Sequence, residues 1–181
     1  MNDQNTLQRP LVVCLHGSAG DSGMWQSFRE AARGRCRVIA PRLPGLGQQP
    51  LADDVASVLE QTGFTRAPFH LVAHGRGAAV AAGIANLYPE RVASLVAYEP
   101  AGLSGMLEQG LRVPVQVLSG TRSWQAARQL AEGVAERVAG ARLLKLVGLR
   151  HMAPLTHPHL VNAVILDYIL PLDMPGQAVA A

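Results

Sequence analysis

Short runs of consecutive apolar residues alternate along the 181-residue chain with stretches in which apolar positions recur every three or four residues. The runs are Leu11–Leu15, Arg37–Ala40, Phe69–Ala73, Ser94–Tyr98, Val113–Leu118 and Arg142–Val147. Each is mostly apolar, as in strands buried on both faces of a parallel sheet. Between them the spacing is helical. Ala127, Leu130, Ala131, Val134 and Val138 form one apolar stripe in a helix expected to begin near Ser123. Asp21 or Ser22 precedes the helix holding Trp25 and Phe28, Asp53 precedes Val55 and Leu59, and Pro158 stands at a first-turn position before Leu160 to Leu170. This alternation predicts an α/β fold: a three-layer sandwich, with a mainly parallel sheet of about six strands and helices on both faces.

Composition narrows the setting. No Pro/Ser-rich linker, charge run or internal repeat divides the chain, and 49% hydrophobic residues suffice for one core, so a single domain is expected. Met1 to Pro10 is polar without an apolar signal region. The longest stretch free of charged residues and histidine, Gly77 to Pro89, falls short of the ~20 residues of a membrane span, so a soluble cytoplasmic protein is expected. The net charge of +3 comes from scattered arginines, with Lys145 the only lysine, which argues against nucleic acid as a partner. Cys14 and Cys36 have no CxxC or ligand spacing and read as buried small hydrophobes.

Ligands of open parallel sheets bind beyond the carboxyl ends of the strands. Two loops there carry candidate chemistry: His16-Gly17-Ser18-Ala19-Gly20 after the first strand, and His74-Gly75-Arg76-Gly77 after the third. Pro41 to Pro50 is a Pro/Gly loop long enough to border a site.

The segments LVVCLHGSAGDSGMW, RVIAPRLPGLG, HLVAHGRGAAVA, PERVASLVAYEP, VPVQVLSGTRS and LRHMAPLTHP, in that order, resemble the α/β-hydrolase superfamily from Leu11 to Leu170. The resemblance implies a nucleophile elbow, G-x-S-x-G, whose central serine attacks an acyl group. Here the five residues are Ala73, His74, Gly75, Arg76 and Gly77, so Gly75 occupies the nucleophile position. Natural divergence and replacement of a serine to trap a complex both produce this sequence. By the family pattern the oxyanion hole is formed by the backbone N–H groups of Ser18 and Arg76, with His16, Gly17 and His74 beside the pocket. His151 matches the general base.

The acid is less direct. Where some members read Gly-x-x-Asp, this chain reads Gly120-Thr121-Arg122-Ser123, and serine supplies no charge. Other members carry the carboxylate at the end of the preceding strand, where Glu99 stands, with Ser123 left as a helix N-cap. Glu99 also has a plain alternative as a solvated or arginine-paired carboxylate. Cys14, Ser18 and His74 do not occupy the attacking position. A metal site from His151, His157 and His159 lacks an acidic or thiol companion, and no cofactor is implied.

The resemblance also implies a missing lid, because only Pro100 to Arg112 separate the fourth and fifth strands. The expected protein is therefore a short esterase-like hydrolase of small substrates, inactive or very weakly active as it stands, with a small-molecule ligand, no membrane partner, and exposed apolar surface that suits a homodimer. Two other functions are open at this point. One is a non-catalytic binder of a small molecule, anion or protein partner. The other is a dinucleotide module using Gly75-x-Gly77 and Glu99, against which stands Val80 at the third glycine position.

Overall fold

The computed structural model describes residues 9–18, 21–43, 51–63, 67–103 and 110–172. Six strands form one parallel sheet in the order β2-β1-β3-β4-β5-β6. They are β1 (Leu11–Leu15), β2 (Arg37–Ile39), β3 (Phe69–His74), β4 (Val92–Tyr98), β5 (Val115–Gly120) and β6 (Arg142–Leu146). The helices are α1 (Gln26–Ala31), α2 (Leu51–Gln61), α3 (Gly77–Leu87), α4 (Gln125–Arg137), α5 (Ala153–Thr156) and α6 (Pro158–Leu172).

The two-residue period of the strands sorts their side chains onto two faces. Leu11, Val13, Leu15, Leu71, Ala73, Leu95, Ala97, Val115 and Val117 pack with Val55, Val58 and Leu59 of α2, the small residues of α3, and Ala131 and Val134 of α4. Val12, Cys14, Val72, Val96, Tyr98 and Leu118 pack instead with Trp25, Phe28, and Val161, Ile165, Leu166 and Ile169 of α6. Fully burying each large aliphatic residue contributes about 1.5–3 kcal/mol. One polar pair crosses the buried sheet, where His70 Nδ1 and Ser94 Oγ lie 2.7 Å apart on β3 and β4.

Several boundaries differ from the sequence expectation. Strand β5 starts at Val115 because Pro114 has no N–H to donate; its carbonyl still accepts from Leu95. Strand β4 begins two residues early, at Val92, through a register shift opposite Phe69 and His70. Strand β6 is not buried on both faces: as an edge strand it leaves Arg142, Leu144 and Lys145 exposed. Asp53 lies inside the first turn of α2, with Asp54, where its charge complements the helix dipole. Helix α4 begins at Gln125 without a side-chain cap, so Ser123 is not its N-cap, and Leu130 of the expected apolar stripe is 50% exposed. Both cysteines are buried thiols outside any disulfide, and burial pushes the Cys14 thiol far up, leaving it protonated. No helix among the described residues is long and apolar enough to cross a membrane. Positions 44–50 of the Pro41 loop and 104–109 of the expected lid gap lie outside the described residues.

The strand order reverses beside β1, since β2 lies on one side of it and β3 on the other. That switch point opens a crevice at the carboxyl ends of β1 and β3, the two strands followed by the glycine loops. Close packing there constrains the chain at Gly77, the first residue of α3. A Cβ at this position would stand 2.5 Å from the His16 carbonyl oxygen and 2.8 Å from that of Leu15, both backbone atoms of β1 and its loop. Gly77→Ala is therefore expected to destabilise by about 3 kcal/mol through overpacking. Gly133→Ala, in α4 with nothing within 4 Å of the added carbon, should stabilise by about 0.5–1 kcal/mol. Denaturant midpoints at unchanged m-value check both.

Candidate active site

The chain leaves β3 at His74 and turns through Gly75, with φ +53°, into α3. The turn is tied to β4 and its following loop. The Gly75 N–H donates to the Tyr98 carbonyl (3.0 Å), and the Gly75 carbonyl accepts from Ala78 (3.1 Å) and Ala101 (2.9 Å). Arg76 is exposed and stands at the N-cap position of α3 without a side-chain bond, while the Ala78 and Ala79 N–H groups reach back to the carbonyls of Gly75 and Arg76. A Cβ built on Gly75 would stand 3.8 Å from Gly17 Cα, 3.8 Å from His151 Cε1 and 4.0 Å from His151 Nε2. These are ordinary contacts, so position 75 has room for a side chain facing the imidazole.

His151 comes from the loop after β6. Its Nδ1–H donates to Glu99 Oε2 at 3.0 Å, so the two sequence candidates meet. Glu99 is 1% exposed at the carboxyl end of β4, and the second oxygen of its carboxylate accepts from the Gly120 N–H (2.9 Å) and, through a very short bond, from the Ser123 hydroxyl. Burial pushes this carboxyl up, but the bonds from His151, Ser123 and Gly120 outweigh it and hold Glu99 below the ordinary carboxylate range. Glu99 is also the one described non-glycine residue with positive φ (+46°), a conformation costing of order 1–3 kcal/mol that the surrounding bonds maintain.

The sequence expectation missed the role of Ser123. It is the last residue of Gly120-Thr121-Arg122-Ser123, and its hydroxyl holds the carboxylate that arrives from the neighbouring strand. The signal was the Gly-x-x-Ser spelling itself. Gly120 is required beside it, because a Cβ there would run into the Leu149 carbonyl.

His74 and His16 are buried supports and do not line the groove beside His151. His74 Nε2–H donates to the His151 carbonyl (2.9 Å), and the Tyr98 hydroxyl donates to the Arg150 carbonyl (2.8 Å), so β3 and β4 together grip the loop carrying His151. His16 accepts from the Leu43 N–H (3.1 Å) and bonds the Gly17 carbonyl (3.0 Å), anchoring the chain after β2. Gly17 is forced by His74, whose Nδ1 would lie 2.8 Å from an added Cβ. Ser18 is exposed, and Ala19 and Gly20 lie outside the described residues.

The outer face of His151 is covered by Trp124, 58% exposed, with ring centroids 4.5 Å apart. Arg122, Trp124, Arg150, His151 and Met152 line a groove of about 640 Å³. His157, near its rim, and His159 are both exposed, and among the described residues no three His, Cys, Asp or Glu converge as metal ligands. The dinucleotide reading loses its acidic residue, since the Glu99 carboxylate is committed to His151 and Ser123. Val80, at the third glycine position, is fully buried.

A sequence profile of the Alpha/beta hydrolase family matches residues 12–159. The chain belongs to this family. The acetyltransferase component of the acetoin cleaving system of Pseudomonas putida is 36% identical over 104 residues, a match covering 52% of this α/β hydrolase but only 27% of that protein. The pimeloyl-[acyl-carrier protein] methyl ester esterase of Aeromonas hydrophila is 30% identical, covering 91% of this chain and 80% of the esterase. The fold is shared with a crystal structure described as a "predicted CIB-like hydrolase" from Thermoplasma acidophilum, at TM-score 0.79 and 18% identity over 94% of this chain and 89% of that one.

Burial is the main cause that lowers the His74 pKa to about 4, partly offset by its bond to the His151 carbonyl. The fold thus prefers the neutral ring. The stability this contributes, about 3 kcal/mol, is present above pH ~6.5 and is lost as pH falls towards about 4, because the unfolded chain takes up the proton first. The Glu99 contribution is lost further down, below the ordinary carboxyl range. Unfolding free energy measured against pH should fall through the upper window, and His74→Asn should flatten that part of the curve.

Proposed function

We propose that this is the site of a serine-type ester hydrolase with glycine in the nucleophile's place, leaving the chain inactive or very weakly active on small acyl esters. In this reading Gly75 marks the nucleophile position, His151 is the general base, and Glu99 orients its ring and stabilises its protonated form. The N–H groups of Ser18 and Arg76 are the oxyanion donors, which depend on backbone placement and outlast loss of the serine side chain. Ester chemistry is supported by the esterase relative. That alignment is longer than this whole chain, so segments of the esterase have no counterpart here.

One observation carries the reading: a side chain at position 75 would meet His151 at 3.8–4.0 Å, on the Nε2 side opposite the Glu99 bond. A hydroxyl on that Cβ, in a rotamer turned toward the imidazole, reaches hydrogen-bonding distance of Nε2, the geometry of an activated nucleophile. A second reading, binding without turnover, is favoured by the groove itself. Arg122 and Arg150 lie along it with Trp124 and Met152, a lining that suits a small anion with an apolar body.

Gly75→Ser decides between them. The variant should gain p-nitrophenyl ester turnover of about a thousandfold or more over the parent chain, together with fluorophosphonate labelling, and His151→Ala should abolish both gains. Its stability should drop by about 1 kcal/mol, because serine adopts positive φ less readily than glycine. A folded Gly75→Ser protein with neither turnover nor labelling would falsify the hydrolase reading in favour of binding alone.

A further inference from the structure

The acid–base pair is assembled in full although the residue it would serve has no side chain. Glu99 is held in a strained backbone conformation by bonds from His151, Gly120 and Ser123. Donation from Nδ1 to the carboxylate leaves Nε2 of the neutral ring as an acceptor on the side facing Gly75. Two further contacts set the ring's orientation: the Trp124 indole against it, and the His74 ring 4.5 Å away between centroids. The nearest neighbours of a Cβ built at position 75 are Gly17 Cα and the His151 ring, at 3.8–4.0 Å, so nothing closer crowds the Gly75 side of Nε2. With no side chain there, a water oxygen can reach hydrogen-bonding distance of Nε2 while keeping a non-bonded distance from the Gly75 Cα.

Resting on the hydrolase reading above, we propose that water takes the serine's place and that His151 acts as its general base in direct hydrolysis of activated small esters. The water oxygen bonds to the acyl carbon while its proton passes to Nε2, and the carbonyl electrons move onto the oxygen facing the oxyanion donors. Collapse of this adduct re-forms the carbonyl and breaks the bond to the leaving alkoxide, which takes the proton back from Nε2. Acid and alcohol are released, the ring returns to its neutral form, and no acyl-protein bond forms. General-base assistance of this kind contributes about 10²–10⁴ in rate, so turnover is slow but dependent on the pair.

The test uses the unaltered chain with p-nitrophenyl acetate. We expect steady turnover without a burst, no fluorophosphonate labelling, a normal solvent deuterium isotope effect, and no acetylated protein by mass spectrometry. His151→Ala should lower the rate by about a hundredfold, Glu99→Gln should lower it with retained folding, and His159→Ala, an exposed control, should leave it unchanged. Gly75→Ala, whose methyl group would crowd the approach of water to Nε2, should also suppress it; if that variant fails to fold, Glu99→Gln carries the test. Equal rates for the parent and His151→Ala overturn the proposal, as does a burst with an acetyl group on His151, which would make the imidazole itself the nucleophile. If Gly75→Ser gains labelling while the parent chain shows no His151-dependent turnover, only the water route is wrong. Silence in both removes the hydrolase reading as well.

Discussion

A carboxylate buried at the end of a central strand stays ionised only if donors replace the water it has lost. At Glu99 three donors do so, from two segments: the β6–α5 loop supplies His151, and the turn from the end of β5 towards α4 supplies both the Gly120 amide and the Ser123 hydroxyl. This one group therefore ties together the ends of β4, β5 and β6. Removing any donor would leave a charge partly uncompensated in a low-dielectric setting, where an unmet hydrogen bond costs about 1–3 kcal/mol or more. The strained φ of Glu99 follows from the same demand, since the backbone bends to bring the carboxylate to its partners.

The opposite wall of the site is governed by close approach of backbones. Gly17, Gly75 and Gly77 lie where β1, β3 and α3 converge, and at Gly17 and Gly77 an added carbon would collide with neighbouring atoms. Gly75 differs in kind: its surroundings accept a carbon, and only its positive φ favours glycine. Glycine at this position therefore relaxes the turn and, in the proposed hydrolase reading, leaves no attacking side chain, while the support around it stays in place. His74 and Tyr98, donating to the carbonyls of His151 and Arg150, hold the His151 loop whatever residue 75 is.

The apolar runs and helical stripes made the layer order legible, because burial on two faces leaves a strong periodic signal in each segment. The errors fell where a single segment does not contain the relevant partner. Strand β6 carries apolar residues yet lies at an edge, which depends on its being last in the sheet order. Ser123 has the composition of a cap, and nothing nearby in sequence says that its hydroxyl will meet Glu99, 24 positions earlier. His16 and His74 look like pocket residues by their place beside glycines, yet their ring nitrogens hold backbone groups in other loops.

Local sequence by itself determined the alternation of strands and helices, the two-faced core, and the glycine at the elbow, because periodicity and conformational preference are properties of neighbouring residues. The family resemblance added Glu99 as the acid for His151, with a solvated or arginine-paired carboxylate as the alternative. Only the tertiary structure decided that they pair, that Ser123 and Gly120 complete the carboxylate's shell, and that the side-chain direction of position 75 points at Nε2. Those facts rest on contacts spanning 21 to 52 residues among the bonds to Glu99, which the parallel crossovers bring together at one end of the sheet. Such distances are set by strand order and register, and no short stretch of chain encodes them alone.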